Sequence, residues 1–135
     1  MSQPKMKDVD YALLADFRAT LRAFTAFSET KARSMGLTPQ QHQALLTIRG
    51  TGTGNATVGY VAERLMLKPH SASGLLSRLE EAGLVMREQD KTDQRKTFLR
   101  LTKEAEQLLE SLSRANLEEL SNLKPMLLSM INQFC

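Results

Sequence analysis

The chain has 135 residues, with 18 Lys+Arg against 15 Asp+Glu for a formal charge of +3. Its 41% hydrophobic and 24% charged residues are globular values, which excludes wholesale disorder and makes a single domain with its own core the default. Aromatic residues make up 5%, with no Trp, which suits aliphatic helix packing better than a β-sandwich.

No apolar run exceeds Tyr11–Ala15, so neither a membrane span nor a signal-peptide core is expected, and the location follows as cytoplasmic. One cysteine, Cys135, cannot close an internal disulfide, which agrees with a reducing compartment. The charge is unevenly placed. Residues 1–67 and 68–103 each hold 8 basic and 5 acidic side chains, whereas 104–135 hold 2 and 5. The basic middle leans toward an acidic partner, and the acidic tail away from it.

From Lys7 to Ser34, Leu14, Phe17, Leu21, Phe24 and Phe27 recur at steps of three and four, which predicts a long amphipathic helix ending near Gly36. Thr38 with Gln41 three residues on, and Pro39 between them, marks a fresh helix start. That second helix carries Leu45 and Ile48 inward and stops at Gly50. The run Gly50–Asn55 is a flexible connector. It lacks the preceding strand and the Lys of a phosphate-cradling loop.

Thr57 can cap a short third helix with Val58, Val61, Ala62 and Leu65 on one face. A tight turn, Met66-Leu67-Lys68, leads to Pro69 at the first position of a fourth helix that Gly83 stops. Two short helices joined by a three-residue turn form a helix-turn-helix. On the fourth helix Ala72, Leu75, Leu76 and Leu79 share one arc. His70, Gly74, Ser77 and Glu81 share the opposite arc, flanked by Ser73 and Arg78. Gly74 in mid-helix costs roughly 1 kcal/mol relative to Ala, which close approach of a bulky partner such as a DNA backbone would explain, with a tolerated surface glycine as the alternative.

The period then changes to two. Residues 84–88 and 97–101 are expected as antiparallel strands around a charged tip at 89–96, so that a winged helix emerges. Thr102 caps a helix with Ala105, Leu108, Leu109, Leu112 and Leu120 on one face, and Glu104 and Glu106 in its first turn. A break is expected from Asn122 to Pro125, followed by a last short helix with Leu127, Met130, Ile131 and Phe134. The fold class is therefore mainly α with a small β-hairpin wing.

The run Asp93-Gln94-Arg95-Lys96-Thr97-Phe98-Leu99-Arg100-Leu101-Thr102 matches the D-x-R-x(5)-L-T wing signature of the MarR family of bacterial transcriptional regulators. Leu79-Glu80-Glu81-Ala82-Gly83-Leu84-Val85-Met86-Arg87 resembles that family's L-E-x-x-G-L-x-x-R segment, and Ser71-Ala72-Ser73 sits where it places small hydroxyl residues. The resemblance runs through nearly the whole chain. It implies a homodimer built from residues 1–36 and 104–135, flanking a DNA-binding winged helix-turn-helix at 37–103. The sequence adds its own support, because apolar stripes outside the winged helix need cover. A two-fold partner covers them through Leu14, Phe17, Leu21, Leu112, Leu120, Leu127, Met130, Ile131 and Phe134. Packing on one another within a monomer is the alternative.

The implied mechanism sets two fourth helices into successive major grooves of double-stranded DNA, roughly 34 Å apart on a pseudo-palindromic operator. His70, Ser71, Ser73, Ser77 and Arg78 are the groove candidates, with Arg78 suited to a bidentate guanine contact. The wing would carry Arg95 to the minor groove, with Asp93 holding it by resemblance. Arg87, Lys91 and Lys96 would neutralise phosphates. Family members commonly release DNA when a small aromatic or phenolic anion binds between the dimerisation helices and the winged helix, and repression is the commoner outcome.

No cofactor and no metal site is expected. His42 and His70 are the only histidines, they fall on different helices, and His42 is expected on a helix surface or as a satisfied core residue. The first helix lacks the cysteine of a peroxide sensor, and Cys135 is expected to be incidental. No nucleophile–base constellation stands out, so an enzyme is not expected. A winged helix used as a protein-interaction adaptor, without sequence-specific DNA binding, is the alternative function.

Overall fold

A computed structural model describes residues 3–52 and 54–134, the side chain of Phe134 excepted. The described residues form α1 (Asp8–Ser34), α2 (Pro39–Gly50), α3 (Val58–Leu65), α4 (Pro69–Glu81), β1 (Val85–Gln89), β2 (Thr97–Leu101) and α5 (Lys103–Phe134).

The helix starts lie where capping chemistry puts them. Thr38 Oγ1 accepts from the Gln41 amide at 3.1 Å, and Gln41 Oε1 accepts from the Thr38 amide at 3.0 Å, a reciprocal capping box with Pro39 as the first helical residue. Thr57 Oγ1 accepts from Tyr60 N at 3.1 Å to start α3. α4 ends at Gly83, whose φ of +76° is the left-handed geometry a side chain resists. The Leu84 amide reaches back to Leu79 O at 2.9 Å and the Gly83 amide to Glu80 O at 3.0 Å, a Schellman closure.

β1 and β2 pair antiparallel, with Val85 opposite Leu101 and Gln89 opposite Thr97. The glycine-rich connector after α2 joins this sheet edge, since Leu99 N donates to Ala56 O at 2.8 Å. Thr102 locks the base of the hairpin. Its amide donates to Leu84 O at 3.0 Å, its hydroxyl to Gly83 O at 2.8 Å, and the same oxygen accepts from Ala105 N at 3.2 Å to cap α5.

One core lies inside the winged helix. Leu45, Val61, Leu76, Leu79 and Leu99 are fully buried there, and the first turns of α5 add Ala105, Leu109 and Leu112. Each such aliphatic side chain contributes about 1.5–3 kcal/mol. α1 and the far half of α5 run outside this core and meet each other, with Thr20 Oγ1 donating to Met126 Sδ at 3.0 Å and Leu13 and Met130 buried.

Three expectations need correction. α5 is a single helix, with Pro125 inside it, rather than two helices broken at Asn122–Pro125. Proline removes one backbone hydrogen bond, but the helix continues where α5 meets α1, with Met126 accepting from Thr20 and Met130 buried. Leu112, 1% exposed, and Met130, 5% exposed, are covered by the chain itself and offer no area to a partner. His42 is buried at 2% exposure but not satisfied, because its Nδ1 has no hydrogen-bond partner. Burial lowers the pKa of this imidazole, since a desolvated ring resists protonation.

Candidate nucleic-acid interface

The inward arc of α4, Ala72, Leu75, Leu76 and Leu79, is buried as the helical wheel requires, and this fixes what the helix shows to the outside. His70, Ser71, Ser73, Ser77 and Arg78 are all exposed. A Cβ built on Gly74 would meet nothing within 4 Å, so nothing inside the chain demands glycine there. Arg78 forms no ion pair among the described residues, which leaves its guanidinium free for an outside acceptor. Ahead of α4, Met66 makes the turn of the helix-turn-helix at φ 57° and is 93% exposed. The sequence places Met66 in the turn, but no alternation or wheel announces its left-handed backbone or its exposure.

The wing is a loop closed by its own hydrogen bonds. Asp90 N donates to Lys96 O at 2.9 Å, Lys96 N to Asp93 O at 3.0 Å, and Gln89 Nε2 to Gln94 O at 2.7 Å. Arg95 projects from it with its side chain 91% exposed, and Asp93 grips it from below. The Arg95 Nε donates to Asp93 Oδ1 at 3.1 Å, its NH2 to Oδ2 at 3.4 Å, and its backbone amide to Oδ1 at 3.1 Å. These bonds, the guanidinium's first and the amide's second, hold the Asp93 carboxyl below the usual range against an opposing effect of desolvation, with the Lys96 charge adding a lesser lowering. Lys91 and Lys96 are exposed on the same loop.

Arg87 is placed differently from the free phosphate contact expected of it. Its Nε lies 3.3 Å from Glu80 Oε1, so the pair bridges β1 to the last turn of α4. Arg100 pairs with Glu88 at 2.8 Å, and Gly54 sits beneath it, where a Cβ would come within 3.1 Å of the guanidinium.

Outside the winged helix, Leu14, Phe17, Leu21, Leu120 and Ile131 are exposed, and Leu127 is half-buried. The side chain of Phe134 and the whole of Cys135 lie outside the described residues. Between α1, α2 and the end of α3 opens a hollow of about 320 Å³, within the size of a small-ligand site. Phe24, Pro39 and Leu65 give it apolar walls, Thr25, Ser28, Gln40 and Gln43 its polar groups, and Glu29 its charge. No set of three or more metal-binding side chains converges among the described residues, and no helix among them is long and apolar enough to cross a membrane.

Helix-turn-helix, hairpin wing and long flanking helices define a winged helix-turn-helix protein. Residues 35–96 match the model of the MarR family. A 47-residue stretch is 49% identical to the HTH-type transcriptional regulator FarR of Neisseria gonorrhoeae, covering 35% of this chain and 32% of that relative's length. Among solved structures, NadR in complex with 4-hydroxyphenylacetate is 28% identical with a TM-score of 0.70, covering 94% of this chain and 86% of its own. A MarR family protein from Bacillus stearothermophilus is 23% identical with a TM-score of 0.75, over 88% and 82% of the two chains. A mutant of S. aureus MepR bound to an oligodeoxyribonucleotide has 22% identity and a TM-score of 0.65, over 93% and 84%. These last two likenesses speak to the fold. Over residues 35–96, its winged-helix part, the chain is similar to the MarR family.

Proposed function

We propose that the chain is a DNA-binding transcriptional regulator, a repressor that grips a pseudo-palindromic operator as a homodimer. Residues 37–103 form the DNA-binding unit, and 1–36 with 104–135 the dimerisation arms. The observation that carries this is the outer face of α4, small and polar from Ser71 to Ser77, with open space at Gly74 and an unpaired Arg78 at its end. Small side chains let a helix sink into the major groove, and a free guanidinium can take guanine O6 and N7 together. The wing supplies a second point of contact through Arg95, while Lys91 and Lys96 neutralise phosphates. MepR bound to an oligodeoxyribonucleotide is a precedent with the same fold.

Exposed Leu14, Phe17 and Leu21 on α1 and Leu120 and Ile131 on α5 support the homodimer, because stripes of this kind on a soluble chain are ordinarily covered. The hollow between α1 and α2 is the place for a small aromatic or phenolic effector, with NadR and its 4-hydroxyphenylacetate as the precedent.

Selection of bound sites from random DNA, followed by mobility shifts at several salt concentrations, tests the proposal. The expected result is an inverted repeat with half-sites one helical turn apart and affinity falling steeply with salt. Absence of sequence preference together with flat salt dependence would instead make the chain a protein-interaction adaptor.

A further inference from the structure

Resting on the effector site just proposed, we infer that the hollow between α1 and α2 selects a small aromatic cation over an aromatic anion, with Glu29 as the residue that sets the sign. The walls set the shape. Phe24 from α1, Pro39 from α2 and Leu65 from α3 are each half-buried and make the hollow apolar. About 320 Å³ is ample for one substituted benzene ring. The hydroxyls of Thr25 and Ser28 and the amides of Gln40 and Gln43 donate or accept alike, so they orient a polar substituent without choosing its charge.

The choice falls to the ionised groups, and the lining has one. Glu29 contributes a carboxylate, and no Lys, Arg or His lines the hollow. Glu29 has a partner, Arg33, but at 3.9 Å and with both side chains well exposed this pair leaves the carboxylate largely available. Arg18 and Arg22 line a second hollow that shares only Thr25 and Glu29 with the first. An anionic ligand would therefore bring its charge beside a carboxylate with no cation in the lining to offset it, while an ammonium would pair with Glu29. The preference is opposite in sign to the 4-hydroxyphenylacetate held by NadR.

Three probes share one phenol ring and differ in the charge of the tail: tyramine, 4-ethylphenol and 4-hydroxyphenylacetate. Calorimetric titration of the full chain at one ionic strength should rank tyramine tightest and 4-hydroxyphenylacetate weakest, with about tenfold or more between them for a charge pair near the protein surface. Glu29→Gln keeps the side-chain shape and should bring tyramine down to the affinity of 4-ethylphenol. If 4-hydroxyphenylacetate binds tightest, or if E29Q still prefers tyramine, the assignment to Glu29 is overturned while the effector site stands. If none of the three binds, the effector site itself falls, and the charge preference with it.

Discussion

Two side chains show how single residues set the chemistry of this chain. Asp93 is itself repelled by phosphates, yet it accepts three hydrogen bonds from Arg95. If Arg95 carries the contact and Asp93 orders it, Arg95→Ala lowers operator affinity and reduces the salt slope by about 1 per subunit engaged. Asp93→Asn should also weaken binding, despite the gain in positive charge, because an unheld Arg loses up to about 2 kcal/mol of rotamer entropy on binding. Salt titrations of both variants check this, and tighter binding by D93N would refute it. The lowered Asp93 pKa keeps the clamp ionised at neutral pH, and it is lost only as acid protonates the carboxylate.

His42 works the other way, as a source of acid sensitivity. Its folded pKa lies below the ordinary 6.5, so the unfolded chain takes up the proton first. Stability is therefore fully present above 6.5 and falls as pH drops through and below it. Melting scans from pH 7.5 to 5.5 should show this loss, and His42→Leu should flatten it. The variant also removes the orphaned Nδ1, so its stability at pH 7.5 should not fall. A pH dependence that survives in H42L would locate the titration elsewhere.

At the level of elements, short-range chemistry was legible and long-range contacts were not. Thr38 with Gln41, Thr57, Pro69 and Gly83 lie within a few residues of the backbone groups they satisfy, and each helix limit they predict is observed. Thr102 bonding Gly83, Leu99 bonding Ala56, and Arg87 bridging to Glu80 depend on how distant segments meet, and no periodicity announces them. The apolar stripe of α5 was visible, but Leu112 and Ile131 look alike on a helical wheel. Only the position of the core and of α1 separates the buried residue from the exposed one. In the helix-turn-helix the exposed face of α4 followed from its wheel and the turn at Met66 from its place before Pro69, whereas the left-handed backbone of Met66 carried no signal. Pro125 was misjudged because a local cost of about 3 kcal/mol was weighed without the packing that follows it. The same cost makes a prediction. Pro125→Ala should restore the missing backbone bond and stabilise the chain by about 1–3 kcal/mol, read as a higher denaturant midpoint with an unchanged slope. A lower midpoint would mean that the ring's packing outweighs the bond.

For the whole molecule, the far half of α5 lies outside the core of the winged helix, and in the proposed homodimer it serves assembly. Deleting residues 123–135 removes Met126 and Met130 from α1 and takes Leu127 and Ile131 from the exposed stripe. Sedimentation should then find monomers or aggregates, and operator affinity should largely disappear because a single half-site remains engaged. A truncated chain that stays dimeric and binds normally would sink the assignment of this segment to the interface.

Thr102 sits where three pieces of this machinery join. Through one hydroxyl and one amide it fastens the end of α4, the root of the wing and the first turn of α5. Shared fastening of this kind ties the α4 end, the wing root and the α5 start to one residue. If the proposed function holds, a tilt of α5 would reach α4 through this joint as a displacement of the whole winged helix, the reading head. In a dimer, an effector acting on the arms would change the distance and angle between two intact heads while leaving each head's choice of bases as it was. Induction would thus act as a caliper, and operators with altered half-site spacing should respond to it differently from operators with altered sequence.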